Sequence, residues 1–197
     1  MKPFKYYIIY KPFQVLSQFS AQENKKTLAN YFSVDKDIYP VGRLDYDSEG
    51  LLILTNDPAL NEKLLHPTNK HIREYWVQVE GSITTKAIDK LSTGVEISID
   101  GKIYKTKHAK AEILIEPIVC ERNPPIRFRK NISTSWISLE LIEGKNRQVR
   151  KMTAAVGFPT LRLIRNRIES IALNNMQPGD IIELSKSVIY KKLFNES

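Results

Sequence analysis

Three features of this chain predict an α+β fold with a mixed, mainly antiparallel sheet and few helices. Segments that alternate apolar and polar residues, as half-buried strands do, dominate the first two thirds. Few segments show the helical period, and the strand–helix–strand rhythm of a parallel sheet is not seen. The length of 197 residues suits one domain, or two tightly joined lobes. We therefore expect a single domain over residues 1–197.

The first elements follow from local patterns around turn residues. A strand over residues 6–10 ends at the Lys11-Pro12 turn, and residues 27–32 suit a short helix. An apolar strand covers residues 51–55. Asp57 then caps a helix that has Pro58 at its first position and ends before Pro67.

The later elements are one strand over residues 72–79, a short helix over residues 85–91 closed by Gly94, and a series of further strands. The clearest helix spans about residues 147–156, because Val149, Met152 and Val156 share one face and Gly157 ends it. The further strands are expected at residues 95–99, 109–115, 136–142, 163–171 and 180–184.

The charge balance favours a polyanionic partner. Lys and Arg number 30 against 22 Asp and Glu, which gives a formal charge of +8. No apolar run approaches the roughly 18 residues of a membrane span. Cys120 is the single cysteine, so a disulfide within the chain and a cysteine metal cluster are both excluded. These features predict a cytoplasmic protein that binds no membrane.

Two basic segments resemble long surface loops. The first covers residues 100–110 and the second residues 121–134. Such runs are common in solvated loops, but two of them in a basic protein favour contact with RNA. Their cations are Lys102, Lys105, Lys107, His108 and Lys110 in the first, and Arg122, Arg127, Arg129 and Lys130 in the second.

A glycine-bounded acidic loop, residues 42–50, precedes the apolar strand at residues 51–55. It contains Arg43, Asp45, Asp47 and Glu49. Loops at strand ends often carry catalytic side chains, and a carboxylate there can be a nucleophile, a general base or a metal ligand. A solvated turn in which the acids cap backbone amides is the alternative. Without a neighbouring His or Cys cluster, a metal site is the weaker interpretation.

The start of the predicted helix at residues 147–156 carries an unusual cluster of cations. The positive end of the helix dipole disfavours Lys145, Arg147, Arg150 and Lys151 by a few tenths of a kcal/mol each. A negative partner, either a phosphate or a carboxylate, would reverse that effect. Arg162, Arg165 and Arg167 extend the basic character. This segment is therefore predicted to be functional.

The remaining candidates give weaker signals. Tyr75 lies on a predicted strand, where most aromatic residues belong to the core, although it could stack on a base if it faces a cleft. The three histidines, His66, His71 and His108, are scattered along the chain. A histidine-based triad is therefore not indicated.

Taken together, these segments resemble the pseudouridine synthases, specifically the branch that modifies ribosomal RNA. GRLDYDSEGLLILTND resembles the signature around that family's catalytic aspartate, and EGKNRQVRKM and LRLIR resemble its later basic segments. RNPPIRFRK followed by TSW resembles the synthases of large-subunit, 23S ribosomal RNA. The resemblance runs from Lys11 to about Leu184 and implies the family's catalytic fold with a central cleft. It also implies that no N-terminal RNA-binding domain is present.

The resemblance implies a role for each matching residue. Asp45 would attack the target nucleoside, and Arg150 would pair with Asp45 and keep it ionised. Arg43 would enter the RNA helix in place of the flipped nucleotide. Tyr75 would stack on the uracil and accept its proton, and Leu163 would pack beneath the base. Lys145, Arg147, Lys151 and Arg165 would contact RNA, and neither a metal nor an organic cofactor would be needed. The flipping itself costs a few kcal/mol.

Two rival functions fit part of the sequence. A non-catalytic RNA-binding or ribosome-assembly protein would share the charge and the loops, but has no need of a carboxylate at Asp45. A metal-dependent nuclease would use Asp45 and Asp47 as magnesium ligands. We expect an enzyme of large-subunit ribosomal RNA that acts as a monomer.

Overall fold

A computed structural model describes residues 2–126 and 132–196 of the chain. Within these residues the chain divides into two compact units. Unit 1 is formed by Met1–His71 together with Arg165–Ser197, and unit 2 by Ile72–Ile164. The chain therefore leaves unit 1 once, builds unit 2 from one continuous segment, and returns to complete unit 1.

The described residues contain thirteen strands, four α-helices and two short 3₁₀ helices. The 3₁₀ helices are Leu28–Asn30 and Pro67–Asn69. In chain order the other elements are β1 (Tyr6–Lys11), β2 (Val15–Leu16), β3 (Lys26–Thr27), β4 (Tyr39–Pro40), β5 (Glu49–Thr55), α1 (Pro58–Leu65), β6 (Arg73–Glu80), α2 (Thr85–Thr93), β7 (Glu96–Ile99), β8 (Lys102–Lys105), β9 (Lys110–Leu114), β10 (Thr134–Leu141), α3 (Gln148–Ala155), β11 (Thr160–Ile168), β12 (Ile171–Ala172), β13 (Ile181–Leu184) and α4 (Lys186–Phe194).

The sheet of unit 1 has β1 and β5 at its centre. Its strand order is β13-β1-β5-β11, and β1 pairs antiparallel with both β13 and β5. All seven residues of β5 are buried. One core cluster is built on Ile9, Leu52 and Leu54. β5 is thus a rigid support for the loop that leads into it.

Helix α1 follows β5 through a buried cap. The Asp57 carboxylate accepts hydrogen bonds from the backbone amides of Ala59 and Leu60, and Pro58 occupies the first turn. The hydroxyls of Tyr6 and Tyr190 also donate to this carboxylate, each at 2.8 Å. The predicted cap is confirmed, and it additionally ties α1 to β1 and α4.

The sheet of unit 2 has the order β6-β10-β9, with both pairs antiparallel. Tyr75 lies opposite Leu139 in the register of β6 and β10, and Val77 lies opposite Ile137. The core of this unit is formed by apolar residues of the sheet with α2 and α3, and Val149 and Met152 are among its buried members. The helical spacing of the apolar residues in α3 therefore predicted correctly which face of the helix packs in the core.

The predicted fold class is confirmed. The pairs that β1 makes with β13 and β5, β10 with β6 and β9, and β7 with β8 are antiparallel, and the two-residue pair of β2 with β3 is parallel. Most strands and helices expected from the sequence are present, with ends shifted by a few residues. The single strand expected over residues 163–171 is divided into β11 and β12, which pair antiparallel. Among residues 2–126 and 132–196, no helix is both long enough and apolar enough to cross a membrane.

Three further local predictions were wrong or incomplete. Residues 102–105 form β8, which pairs with β7 through a turn at Asp100 and Gly101, whereas the sequence predicted a loop. Both turn residues have positive φ, at 50° and 78°, as a tight type I′ hairpin requires. The expected helix over residues 27–32 is a single 3₁₀ turn. Helix α4 was not predicted, although Ser185 caps it and Ile189 and Leu193 bury one face.

Candidate active site

Asp45 lies in unit 1, on the loop between β4 and β5. Its side chain is partly exposed, whereas Leu44 before it is 8% exposed and Ser48 and Glu49 after it are 1% and 2% exposed. The backbone amide of Ser48 donates to the Asp45 carbonyl at 3.0 Å, which closes a turn around the aspartate. Buried residues on both sides therefore hold a loop in which Asp45 and Asp47 are partly exposed and Arg43 is exposed.

The end of this loop is fixed by close packing of two backbones. Gly50 has φ +110°, and a Cβ at this position would lie 2.4 Å from the Arg165 carbonyl oxygen. Any larger residue would push β11 away from β5. The Arg165 side chain reinforces this contact, since its Nε donates to the Leu51 carbonyl at 2.8 Å.

Lys11 lies beneath the acidic loop and has no exposed surface. Its Nζ donates to the carbonyl oxygens of Pro12 and Val15, at 2.9 and 2.7 Å. Burial lowers the pKa of this ammonium group to about 7, while the carboxylates of Glu49, Asp47 and Asp45 favour the charged form. Arg165 opposes the charged form. Lys11 is therefore a buried partner of the loop's negative charges.

From the sequence, Lys11 was interpreted only as the beginning of a turn. A lysine inside an apolar strand, directly before a proline, was the available signal of a buried charge. Glu49 was interpreted as part of a loop, and it is the first, almost fully buried residue of β5. Its buried carboxylate near Lys11 favours the charged form of the lysine and so offsets part of the cost of burying that charge.

The other predicted site residues lie in unit 2. Arg147 precedes α3 in the left-handed conformation, with φ 55°, and Lys145 and Arg147 are both exposed. Arg150 and Lys151 are partly buried on α3. Tyr75 packs against the apolar cluster of unit 2, to which Leu163 also belongs. Unit 2 thus contains Tyr75 and Leu163, which share one apolar cluster, and the cations at the start of α3, whereas Arg43 and Arg165 belong to unit 1.

The start of α3 is organised by Glu143, the first residue of the basic segment EGKNRQVRKM, for which the sequence predicted no role. Its carboxylate accepts hydrogen bonds from the Tyr104 hydroxyl at 2.5 Å, the Lys107 amide at 3.0 Å and the Gln148 side chain at 2.6 Å. Gln148 in turn accepts from the Lys145 amide at 2.9 Å. This network holds the exposed basic loop 144–147 against the segment that contains Lys105 and Lys107.

The pKa values in this network follow from its hydrogen bonds. Burial alone raises the pKa of the Glu143 carboxyl, but the donors Tyr104, Lys107 and Gln148 outweigh it and hold that pKa below its usual value. The same bond to Glu143, with burial second, raises the pKa of Tyr104 to about 12. Glu143 is therefore an ionised anchor at neutral pH.

The second predicted basic segment is described only in part. The Arg122 guanidinium donates to the carbonyl oxygens of Pro124, Pro125 and Leu161. Arg127, Arg129 and Lys130 lie outside the described residues. Within the described ranges, no group of three or more His, Cys, Asp and Glu side chains is placed to hold a metal ion.

Comparison with known proteins identifies the class. Residues 5–155 match the model of the RNA pseudouridylate synthases, which covers well over half of the chain. The chain therefore belongs to the RNA pseudouridylate synthase family. Asp45 and the loop that carries it, Tyr75 and α3 all lie within the matched region.

Particular relatives narrow the class. The ribosomal large subunit pseudouridine synthase E of Vibrio parahaemolyticus is 50% identical over 91% of this chain and 74% of its own length. The synthase of the same name from Xanthomonas axonopodis pv. citri is 46% identical over 87% of this chain and 89% of its own. A crystal structure of a pseudouridylate synthase superposes with a TM-score of 0.78, covering 98% of this chain and 75% of that one, at 23% identity, which supports the fold. The predicted resemblance to synthases of the large ribosomal subunit is confirmed.

Proposed function

We propose that this enzyme converts a uridine of large-subunit ribosomal RNA to pseudouridine. The observation that carries the proposal is the 46–50% identity, over most of both chains, to synthases named for the large ribosomal subunit. The formal charge of +8 suits a polyanionic substrate of this kind. The rival binding-protein function explains neither the likeness to enzymes nor a carboxylate presented from a rigid loop.

In the proposed reaction, Asp45 is the nucleophile. The uridine is flipped out of its helix, and attack by the Asp45 carboxylate detaches uracil from the sugar. The base turns, and a uracil carbon attacks the same sugar carbon, which breaks the bond to Asp45 and restores its carboxylate. Tyr75 accepts the proton that the uracil carbon loses, and the uracil nitrogen released from the sugar gains one, so that the product is an isomer of uridine. A fixed backbone with a partly exposed carboxylate suits such an attack, because catalysis requires the reacting atoms to be held in place.

The other residues of the predicted site have supporting roles in this proposal. Arg150 is the proposed counter-ion of the Asp45 carboxylate, because hydrogen bonds between opposite charges are strong and directional. Arg43, exposed beside Asp45, takes the place of the flipped nucleotide, and Leu163 packs beneath the base. Lys145, Arg147 and Lys151 contact phosphates from the start of α3. Arg165 is 5% exposed and bonded to Leu51, so its part is to hold the acidic loop while its charge adds to the field felt by the RNA.

The proposed enzyme works as a cytoplasmic monomer without metal or organic cofactor. The relatives named for the ribosomal large subunit support the cellular location. In the proposed mechanism, side chains act as the nucleophile, its counter-ion and the proton acceptor, so the reaction needs no metal or organic cofactor. Size-exclusion chromatography of the active fractions tests the monomer. Activity in excess EDTA, with the RNA left uncut, supports the metal-free reaction and eliminates the nuclease alternative.

The direct biochemical test compares Asp45→Asn with Asp47→Asn. Both changes remove one negative charge from the same loop, but only the first removes the proposed nucleophile. Asp45→Asn should bind large-subunit ribosomal RNA with a similar Kd and form no pseudouridine, while Asp47→Asn stays active. Because pseudouridine has the mass of uridine, the product is detected by chemical labelling. An active Asp45→Asn variant would rule out the proposed mechanism.

A further inference from the structure

Ser17 is a buried hydroxyl that bonds to both backbone groups of the residue before Asp45. It is 3% exposed, donates from Oγ to the Leu44 carbonyl at 2.8 Å and accepts from the Leu44 amide at 3.0 Å. The two residues are 27 positions apart in the chain, so this contact belongs to the tertiary structure. A serine hydroxyl has one proton to donate and can accept as well, so a single side chain satisfies both groups.

Two bonds to one residue fix more than a single bond would. The amide and the carbonyl of Leu44 belong to different peptide planes, and the carbonyl plane is the one that continues into Asp45. Holding both planes fixes the backbone turn from which the Asp45 side chain projects. A shift of about 1 Å at a reacting group can cost roughly a hundredfold in rate, so this orientation matters for catalysis.

The segment that carries Ser17 is itself firmly held. Val15 and Leu16 pair with Lys26 and Thr27, and the Leu28 amide donates to the Gln18 carbonyl at 2.9 Å. On the other side, the buried Lys11 ammonium donates to the Val15 carbonyl. The backbone around Ser17 is therefore fixed on both sides, and the two Ser17 hydrogen bonds fix Leu44 to it.

We infer that Ser17 is a positioning residue for the reaction, acting on Asp45 through the Leu44 backbone. The inference rests on the proposed role of Asp45 as the nucleophile. Ser17 itself touches no reacting atom. Its removal leaves the RNA-binding cations in place, so it should slow the chemical step while leaving affinity for RNA unchanged.

The test compares Ser17→Ala with Ser135→Ala. Ser135 also donates to one backbone carbonyl, that of Gly81 at 2.8 Å, and accepts from one amide, that of Ile83 at 3.0 Å, but it lies in unit 2. The two variants therefore lack the same kind of bonds. Single-turnover pseudouridine formation, Kd and Tm are measured with a transcript of large-subunit ribosomal RNA.

Ser17→Ala should lower the single-turnover rate about 10- to 100-fold with Kd within about twofold. Ser135→Ala should stay near the wild-type rate. Ser17→Thr, which keeps the hydroxyl, should recover most of the rate. Amide hydrogen exchange of residues 41–48 should be faster in folded Ser17→Ala than in wild type, because the Leu44 amide no longer has its acceptor. This measurement does not depend on Ser17→Thr, so it tests the inference even where the added methyl of threonine disturbs packing.

A Ser17→Ala rate equal to that of Ser135→Ala would overturn the inference. A decrease in rate matched by an equal decrease in RNA affinity or in folded protein would also overturn it, as would unchanged exchange of residues 41–48. Failure of the proposed function looks different. In that case Asp45→Asn retains activity, or the wild-type protein forms no pseudouridine, whatever Ser17 does.

Discussion

At the scale of single residues, Lys11 shows how much the candidate site depends on a group that touches no solvent. Its ammonium lies under the acidic loop and donates to two backbone carbonyls. Burial and the surrounding carboxylates act in opposite directions on its pKa, and burial dominates. The acidic loop therefore stands over a cation that releases its proton near neutral pH.

The lowered pKa of Lys11 predicts a specific dependence of stability on pH. The folded chain releases this proton near pH 7, whereas the unfolded chain keeps it until about pH 10.4. Between those values the unfolded state binds more protons, so the free energy of unfolding rises with pH, by at most about 1.4 kcal/mol per pH unit. Below pH 7 the full cost of burying the charge remains.

Urea denaturation of Lys11→Met and wild type between pH 7 and 10 measures this contribution. The difference in unfolding free energy, wild type minus variant, should increase with pH across that window. Lys36→Met, at an exposed lysine of the same unit, should show no such trend. Wild-type and Lys11→Met curves that stay parallel would contradict the assignment of a buried, titrating lysine.

At the scale of elements, the start of α3 shows how a helix tolerates cations at the end where its dipole disfavours them. Glu143 supplies a fixed negative charge close to that end, and Gln148 connects it to the Lys145 backbone. The side chains of Lys145 and Arg147 are exposed to solvent, and the Lys145 ammonium lies over the Tyr104 ring, 5.2 Å from its centroid. An internal carboxylate therefore stabilises the start of α3, and in the proposed function its exposed cations contact RNA.

Replacing Glu143 with glutamine should destabilise the protein by about 1–2 kcal/mol at pH 7, because charge-assisted hydrogen bonds become neutral ones. The pKa of Glu143 is lowered in the folded state, so its contribution is complete above the unfolded value near 4.3 and disappears as pH falls through the folded value. Denaturation at pH 7 and pH 3 measures this change.

Tyr104→Phe is the graded control for Glu143→Gln. It removes one donor to the carboxylate and leaves the bonds from Lys107 and Gln148, so its effect should be smaller. Both variants should also weaken RNA binding if the basic loop is held as described. Equal unfolding free energies of wild type and Glu143→Gln at pH 7 would show that the Glu143 carboxylate does not stabilise the start of α3.

Local patterns predicted the elements better than the interactions between them. The apolar period identified α3 and its core residues Val149 and Met152, and Asp57-Pro58 identified the start of α1. β8 was missed because its lysines suggested a solvated loop, although Asp100-Gly101 is a hairpin signal. Ser17 gave no signal at all, since nothing in its neighbourhood indicates a bond to a residue 27 positions away.

At the scale of the whole molecule, the net charge of +8 predicts salt-dependent RNA binding. The basic segment with Lys105 and Lys107 contacts the start of α3 through Glu143, which accepts a hydrogen bond from the Lys107 amide. Lys105→Glu combined with Lys107→Glu should raise Kd for large-subunit ribosomal RNA. It should also flatten the dependence of log Kd on log salt, by roughly one unit of slope for each phosphate that the variant no longer neutralises.

The control for this charge reversal is Lys86→Glu with Lys90→Glu. These lysines are exposed on α2 of the same unit and alter the net charge equally. If they weaken binding as much as the first pair, net charge alone governs affinity and the segment with Lys105 and Lys107 has no special part. Filter binding at several salt concentrations distinguishes the two outcomes.

The family membership of the chain fixes its chemical class, while the identity of its substrate is the central proposal. The most direct measurement is a map of pseudouridines in ribosomal RNA from cells that lack this protein, complemented with wild type or with Asp45→Asn. One pseudouridine of large-subunit ribosomal RNA should disappear on deletion, return with the wild-type protein and stay absent with Asp45→Asn. An unchanged map after deletion would contradict the proposed substrate, and restoration by Asp45→Asn would contradict the proposed nucleophile.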